Sequence, residues 1–127
     1  RVLAITGDGD MLMGMGALAT VAQVQPRNLA IVVLDNEMFG ETGGQPTHTA
    51  GVTDLAAIAK GAGIATTGTL CDSAALQKAL PIIHEADGPV FYIVKVSANM
   101  PPTVYPPLDG PFAKDRFRSA VLGTDTV

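Results

Sequence analysis

At 127 residues the chain is long enough for one domain with a sizeable core and too short for two. It is 47% hydrophobic and 16% charged, with a formal net charge of −4 and only eight Lys and Arg residues, of which three fall together in "KDRFR" at 114–118. Nucleic acid is therefore excluded as a main partner, since it requires a basic face, and the longest apolar run, Leu29 to Leu34, is far too short for a membrane span.

In chain order, Val2 to Thr6 reads as a buried strand bounded by Gly7. Met11 to Val24 is predicted helical, rich in Leu, Met and Ala and closed before Pro26. Leu29 to Leu34 is the clearest strand, half of it β-branched. Phe39 to Val52 has no periodicity and is expected to be a loop. Thr53 is expected to N-cap the next helix, with Asp54 in its first turn and Gly61 at its end. A weaker strand, Ile64 to Thr69, precedes a helix over Ser73 to Ala86, in which Pro81 should introduce a bend or break. Val90 to Val96 is a strand introduced by Gly88-Pro89. Residues 100–127 form a proline-rich extension, in which Ala113 to Leu122 is expected to make a last short helix.

This alternation predicts an α/β domain, a parallel sheet with helices on both faces. Four strands make a thin sheet, and the chain enters its first strand directly after Arg1. The domain spanning 1–127 is thus expected to be N-terminally incomplete, or completed from elsewhere. The single cysteine, Cys71, has no internal disulfide partner, which favours a reducing cytoplasm.

Ligands of open parallel sheets bind at the carboxyl ends of the strands. Two acidic turns fall there: Gly7-Asp8-Gly9-Asp10 after the first strand and Asp35-Asn36-Glu37 after the second, with 26 residues separating Gly9 from Asn36. A carboxylate, a neutral amide oxygen and backbone carbonyls suit a hard divalent cation such as Mg²⁺, which leaves positions open for phosphate oxygens. The glycines permit close approach of the backbone, and a following helix offers free N–H groups to an anion. No P-loop, dinucleotide-binding or calcium-loop spacing fits. A plainer reading makes Asp8 a turn residue, Asn36 a helix cap and Asp10 an N-cap.

"GDG" followed at this distance by an apolar strand ending in "LDN", with the intervening "GALATVAQ", resembles the cofactor-binding signature of thiamine diphosphate-dependent enzymes. The resemblance covers Val2 to Val96 and implies the family's doubly wound, three-layer diphosphate-binding domain. It implies thiamine diphosphate and Mg²⁺ as cofactors, with Asp8, Asn36 and the main-chain carbonyl of Met38 as metal ligands. Gly7, Gly9, Asp10, Met11, Phe39, Gly40 and Thr42 would complete the cofactor contacts. Asp10 departs from the small residue usual in the family, and Asp35-Asn36 replaces its more usual Asn-Asn pair.

"NLAIVVLDNEMFGETGGQPTHT" and "PPLDGPFAKDRFRSAVLG" are most similar to phosphonopyruvate and sulfopyruvate decarboxylases. That likeness implies loss of carbon dioxide from a 2-oxo acid, a 3-substituted pyruvate with a second acidic group. Thr42, Gln45 and His48 would then contact substrate, with Glu41 and His48 as candidate acid/base residues. In the family an activating glutamate lies on a pyrimidine-binding domain or alpha subunit, and Glu37, Glu41 and Glu85 do not match that role. The chain is therefore expected to act only with such a partner, in a dimer or tetramer. Two alternatives stay open: a carboligase of the acetolactate synthase kind or an oxidative 2-oxo acid enzyme, and a non-catalytic flavodoxin-like binding module.

Overall fold

The computed structural model describes residues 1–99, 104–105 and 107–123. Its centre is a parallel sheet built from β1 (Val2–Gly7), β2 (Leu29–Asp35), β5 (Thr66–Leu70) and β6 (Val90–Lys95), in the spatial order β1-β2-β6-β5. A small antiparallel hairpin, β3 (Met38–Phe39) with β4 (Gln45–Pro46), stands on the loop after β2. The helices are α1 (Asp8–Met13), α2 (Ala17–Val24), α3 (Leu55–Ala62), α4 (Ser73–Glu85) and α5 (Gly110–Leu122).

Strand order explains the layering. Connections between parallel strands are right-handed, so helices met while the chain moves in one direction across the sheet lie on one face. From β1 to β2, and from β2 out to β5, the chain moves one way. Accordingly Leu18 of α2 and Leu55, Ala56 and Ala59 of α3 share a core with Ile31, Val33, Phe91 and Ile93. From β5 the chain turns back to β6, and α4 falls on the opposite face, where Ala79 and Ile83 pack on Ala30, Val32 and Val90. Alternate residues of β2 thus serve two cores, which is why its sequence is apolar without interruption.

Five expectations need correction. The strand read as buried over Val2 to Thr6 lies at the edge of the sheet, and its Val2, Leu3 and Ile5 are exposed. The helix predicted over Met11 to Val24 is two helices separated by Gly14-Met15-Gly16, because two glycines within three residues remove helix propensity at that point. Asp54, not Thr53, caps α3, its side chain accepting from Ala57 N at 2.9 Å. Gly61 lies inside that helix, which instead ends at Gly63 with φ of 113°. Pro81 does not break α4, which runs on to Glu85. It sits on the solvent side, where water can serve the carbonyl that proline leaves unpaired.

The loop expected over Phe39 to Val52 contains the β3–β4 hairpin and two single turns of 3₁₀ helix, Gly40–Thr42 and His48–Ala50. The last helix starts at Gly110, capped by Asp109 through Phe112 N. "KDRFR" lies on it, with Arg116 stacked 5.8 Å above the Phe112 ring. Of the proline-rich extension, residues 100–103, 106 and 124–127 lie outside the described residues. No helix among the described residues is long and apolar enough to cross a membrane.

Two glycines should respond oppositely to substitution. A Cβ on Gly88 would stand 2.3 Å from the Leu29 carbonyl oxygen and 2.9 Å from that of Pro26, both rigid backbone. Gly88→Ala is expected to lower unfolding free energy by about 3 kcal/mol through overpacking. Gly61→Ala, with nothing within 4 Å, should raise it by up to about 1 kcal/mol. Urea melts of the two variants check the pair of signs.

Candidate functional site

The carboxyl ends of β1, β2 and β6 open into a cleft of about 440 Å³. Its floor is Gly7, Asp8, Gly9 and Asp10. One side is Asn36 to Thr42 without Glu37, and Met13, Leu34, Val96 and Ser97 supply the rest. The two acidic turns therefore meet at one object, as their positions after neighbouring strands require.

Asp8 opens α1 and is 2% exposed. Among the described residues, the hydrogen bonds to its carboxylate all fall on Oδ2: one from the Thr47 hydroxyl and one from the Thr49 hydroxyl at 3.2 Å. Oδ1 receives none of them. The neighbouring buried carboxylate, Asp35, has a different environment. Its Oδ1 accepts from the Thr49 hydroxyl at 2.8 Å and from Glu37 N at 3.0 Å, while its Oδ2 pairs with Lys95 at 2.8 Å. Partial burial depresses the Lys95 ammonium, but Asp35 and Glu37 more than offset this and hold its pKa above the ordinary value. Asp35 thus has a cationic partner, whereas no ion pair is formed by Asp8 among the described residues. A carboxylate buried without a counter-charge is costly, and a bound cation is what would offset it.

The turn after β2 is shaped by its own side chains. Asn36 Oδ1 accepts from Met38 N at 3.0 Å, and Glu37 between them takes a left-handed φ of 62°. The Asn36 oxygen keeps a second lone pair for a cation. In the hairpin, the Phe39 carbonyl accepts from Gly44 N at 2.9 Å. Carbonyls alternate along an extended strand, so that of Met38 is directed away from this partner. One carboxylate, one amide oxygen and one main-chain carbonyl are hard donors of the kind Mg²⁺ accepts alongside phosphate oxygens. Among the described residues no group of three or more His, Cys, Asp or Glu could hold a metal, so any cation here would depend on this mixed set.

Gly9 has a steric role. A Cβ there would lie 2.7 Å from the Phe39 ring, so any other residue makes that ring move where α1 passes beneath the hairpin. Asp10 lies within the first turn of α1, exposed on the cleft, and Gly7 holds the N-cap position, so Asp10 is not an N-cap.

Of the residues singled out from sequence, Gly7, Asp8, Gly9, Asp10, Asn36, Met38, Phe39, Gly40, Glu41 and Thr42 line the cleft. Met11 does not; it packs against the core shared by α2 and α3. Gln45 is folded back on Thr42, donating to its carbonyl at 2.9 Å, and lies outside the cleft lining. His48 is exposed and also outside it, facing outward between buried Thr47 and Thr49. Thr47, Thr49 and Lys95 were not reached from sequence. "PTHT" does alternate hydroxyls at the spacing of an extended segment, but nothing local signals that both reach a carboxylate some 40 residues away, at separations of 39 and 41.

The model of the thiamine pyrophosphate enzyme C-terminal TPP-binding domain matches residues 1–94. The chain is 37% identical over 123 residues to sulfopyruvate decarboxylase subunit beta of Methanothermobacter thermautotrophicus, covering 97% of this chain and 63% of that one. It is 32% identical over 124 residues to the subunit of the same name from Methanococcus maripaludis, covering 95% of this chain and 64% of that one. With phosphonopyruvate decarboxylase of Streptomyces viridochromogenes it shares 40% identity over 88 residues, 69% of this chain and 22% of the relative. The chain thus spans less than two thirds of the length of these relatives.

Gly9→Ala should keep the fold but push Phe39 into the cleft, weakening thiamine diphosphate binding at least about tenfold. Phe39→Leu added to it should restore part of the loss by making room. Calorimetric titration of the single and double variants decides this.

Proposed function

We propose, for a chain that belongs to the thiamine pyrophosphate enzyme family and comprises its C-terminal TPP-binding domain, that it supplies the diphosphate and metal half of a 2-oxo acid decarboxylase site. The observation that carries this reading is Asp8: buried and, among the described residues, hydrogen-bonded through Oδ2 alone and without the counter-charge that Asp35 has in Lys95. Mg²⁺ fits that demand. Asp8, the Asn36 amide oxygen and the Met38 carbonyl would hold it. The backbone at Gly9 and Asp10, unobstructed by a Cβ at Gly9, would meet the diphosphate.

Bound thiamine diphosphate supplies a nucleophilic carbon and an electron sink for loss of carbon dioxide. The chain's own part is to fix the diphosphate end. Met13, Leu34, Phe39 and Val96 give the cleft apolar walls, which strengthens polar interactions inside it. Glu41 and Thr42 line the cleft, which supports them as the candidates for acid/base and polar contacts. His48 and Gln45 would need the loop to rearrange.

The substrate class is a 3-substituted pyruvate such as sulfopyruvate or phosphonopyruvate, supported by the names of the similar enzymes. The partner is a pyrimidine-binding chain carrying the activating glutamate, in a dimer or tetramer; two relatives being named as beta subunits supports a separate partner. None of the glutamates here is placed for that role: Glu37 pairs with Lys95, Glu41 is on the cleft rim and Glu85 ends α4. Family membership speaks against the non-catalytic flavodoxin-like module.

Two outcomes are expected from the full-length chain assembled with its partner. Thiamine diphosphate should bind with Mg²⁺ and not with chelator, and Asp8→Ala should weaken that binding at least about a hundredfold; indifference to both would sink the metal-bridged reading. Carbon dioxide should be released from sulfopyruvate or phosphonopyruvate faster than from pyruvate. Acetolactate formation from pyruvate instead would favour the carboligase.

A further inference from the structure

We propose that Thr47 and Thr49 are positioning residues for the cation, holding Asp8 through Oδ2 and coupling it to the turn that presents Asn36 and Met38. The inference rests on the metal-bridged reading above and gives a role to a loop segment that reading leaves unused.

The two hydroxyls are buried between two carboxylates, at 4% exposure for Thr47 and 7% for Thr49. Each hydroxyl has a single proton. Thr47 reaches Asp8 Oδ2, and Thr49 reaches Asp35 Oδ1 at 2.8 Å and Asp8 Oδ2 only at 3.2 Å. The best assignment gives the Thr47 proton to Asp8 and the Thr49 proton to Asp35, leaving the two hydroxyl oxygens 2.8 Å apart. Asp8 is thereby pinned by one oxygen and its carboxylate plane is set, with Oδ1 left for the cation.

The coupling runs through the backbone as well. Thr47 N donates to the Glu37 carbonyl at 2.9 Å, inside the turn that carries Asn36 and Met38. Asp35 Oδ1 receives both the Thr49 hydroxyl and Glu37 N, so one oxygen serves the threonine pair and the turn together. Lys95 holds Asp35 from its other oxygen. The anionic ligand and the two neutral ligands therefore belong to one hydrogen-bonded unit. Partners behind metal ligands characteristically change metal affinity when removed, because they orient the ligating atoms.

The test uses Mn²⁺ as a paramagnetic stand-in, titrated into the intact assembly with saturating thiamine diphosphate and read by the loss of the free-ion signal. Thr47→Val and Thr49→Val, which remove the hydroxyl and keep the shape, should each weaken Mn²⁺ binding about 10- to 100-fold, Thr47 the more. Thr47→Ser and Thr49→Ser should stay within about threefold of the native protein, since the donor is restored. Melting with and without Mn²⁺ supplies a readout that a merely structural role would not move: the cation-induced rise should shrink in the valine variants. Should a valine variant fail to fold, Thr47→Ala and Thr49→Ala carry the same expectation. Native-like Mn²⁺ affinity in the hydroxyl-free variants, with Asp8→Ala still abolishing binding, would overturn the positioning role and leave the site reading intact. Native-like affinity in Asp8→Ala would overturn both.

Discussion

Two carboxylates, Asp8 and Asp35, are each 2% exposed at the top of adjacent strands, and the molecule must accommodate both charges in one place. Desolvating a carboxylate is costly unless it is hydrogen-bonded and matched by positive charge. The structure treats the two unequally. Asp35 is matched by Lys95 from β6 and shapes the turn that follows it. Asp8 is hydrogen-bonded by the Thr47 hydroxyl, with that of Thr49 close by, and a hydroxyl can hold a carboxylate without neutralising it. One charge is closed off within the chain and the other is left for something else to complete. That inequality gives the cleft a direction.

Everything needed for it arrives by topology. Two connections on one face of the sheet set β1 beside β2, and the reversal at β5 returns the chain so that β6 fills the place on the other side of β2. The carboxyl ends of three strands are thus contiguous, although the residues they carry come from both ends of the described chain. The hairpin between β2 and α3 then folds over them, held by Thr47 N on the Glu37 carbonyl and seated against Gly9. Loops at strand ends carry chemistry in many α/β proteins because the sheet beneath is rigid. Here the loop is also tied to the strand ends through buried side chains.

The legible parts of the sequence were those with short-range causes. An uninterrupted apolar run, half of it β-branched, identified β2, and glycines and carboxylates at the strand ends identified Asp8 and Asn36 as neighbours once a parallel sheet was assumed. What escaped had causes at a distance or in competition. Gly14 and Gly16 outweighed the Leu- and Met-rich pattern around them and divided one expected helix. Asp54 outcompeted Thr53 as a cap because its carboxylate reaches Ala57 N. Pro81 was tolerated because its side of α4 faces water. Thr47 and Thr49 looked like ordinary loop polar residues, and only the folded hairpin brings them against Asp8. His48, a tempting titratable group, shares their segment but is exposed in the single turn of 3₁₀ helix that begins there, while its two threonine neighbours are buried.

The charge of the cleft wall bears on the sequence of events at the site. Among the described residues its lining includes Asp8, Asp10 and Glu41, and neither Lys nor Arg. A bare diphosphate approaching this wall meets repulsion, because a groove lined by one sign of charge concentrates ions of the other and disfavours its own. A divalent ion is drawn in, and a diphosphate already carrying its metal approaches with much of its charge cancelled. For the function proposed, the wall thus favours arrival of the metal before or together with the organic cofactor, an order set by electrostatic sign rather than by shape.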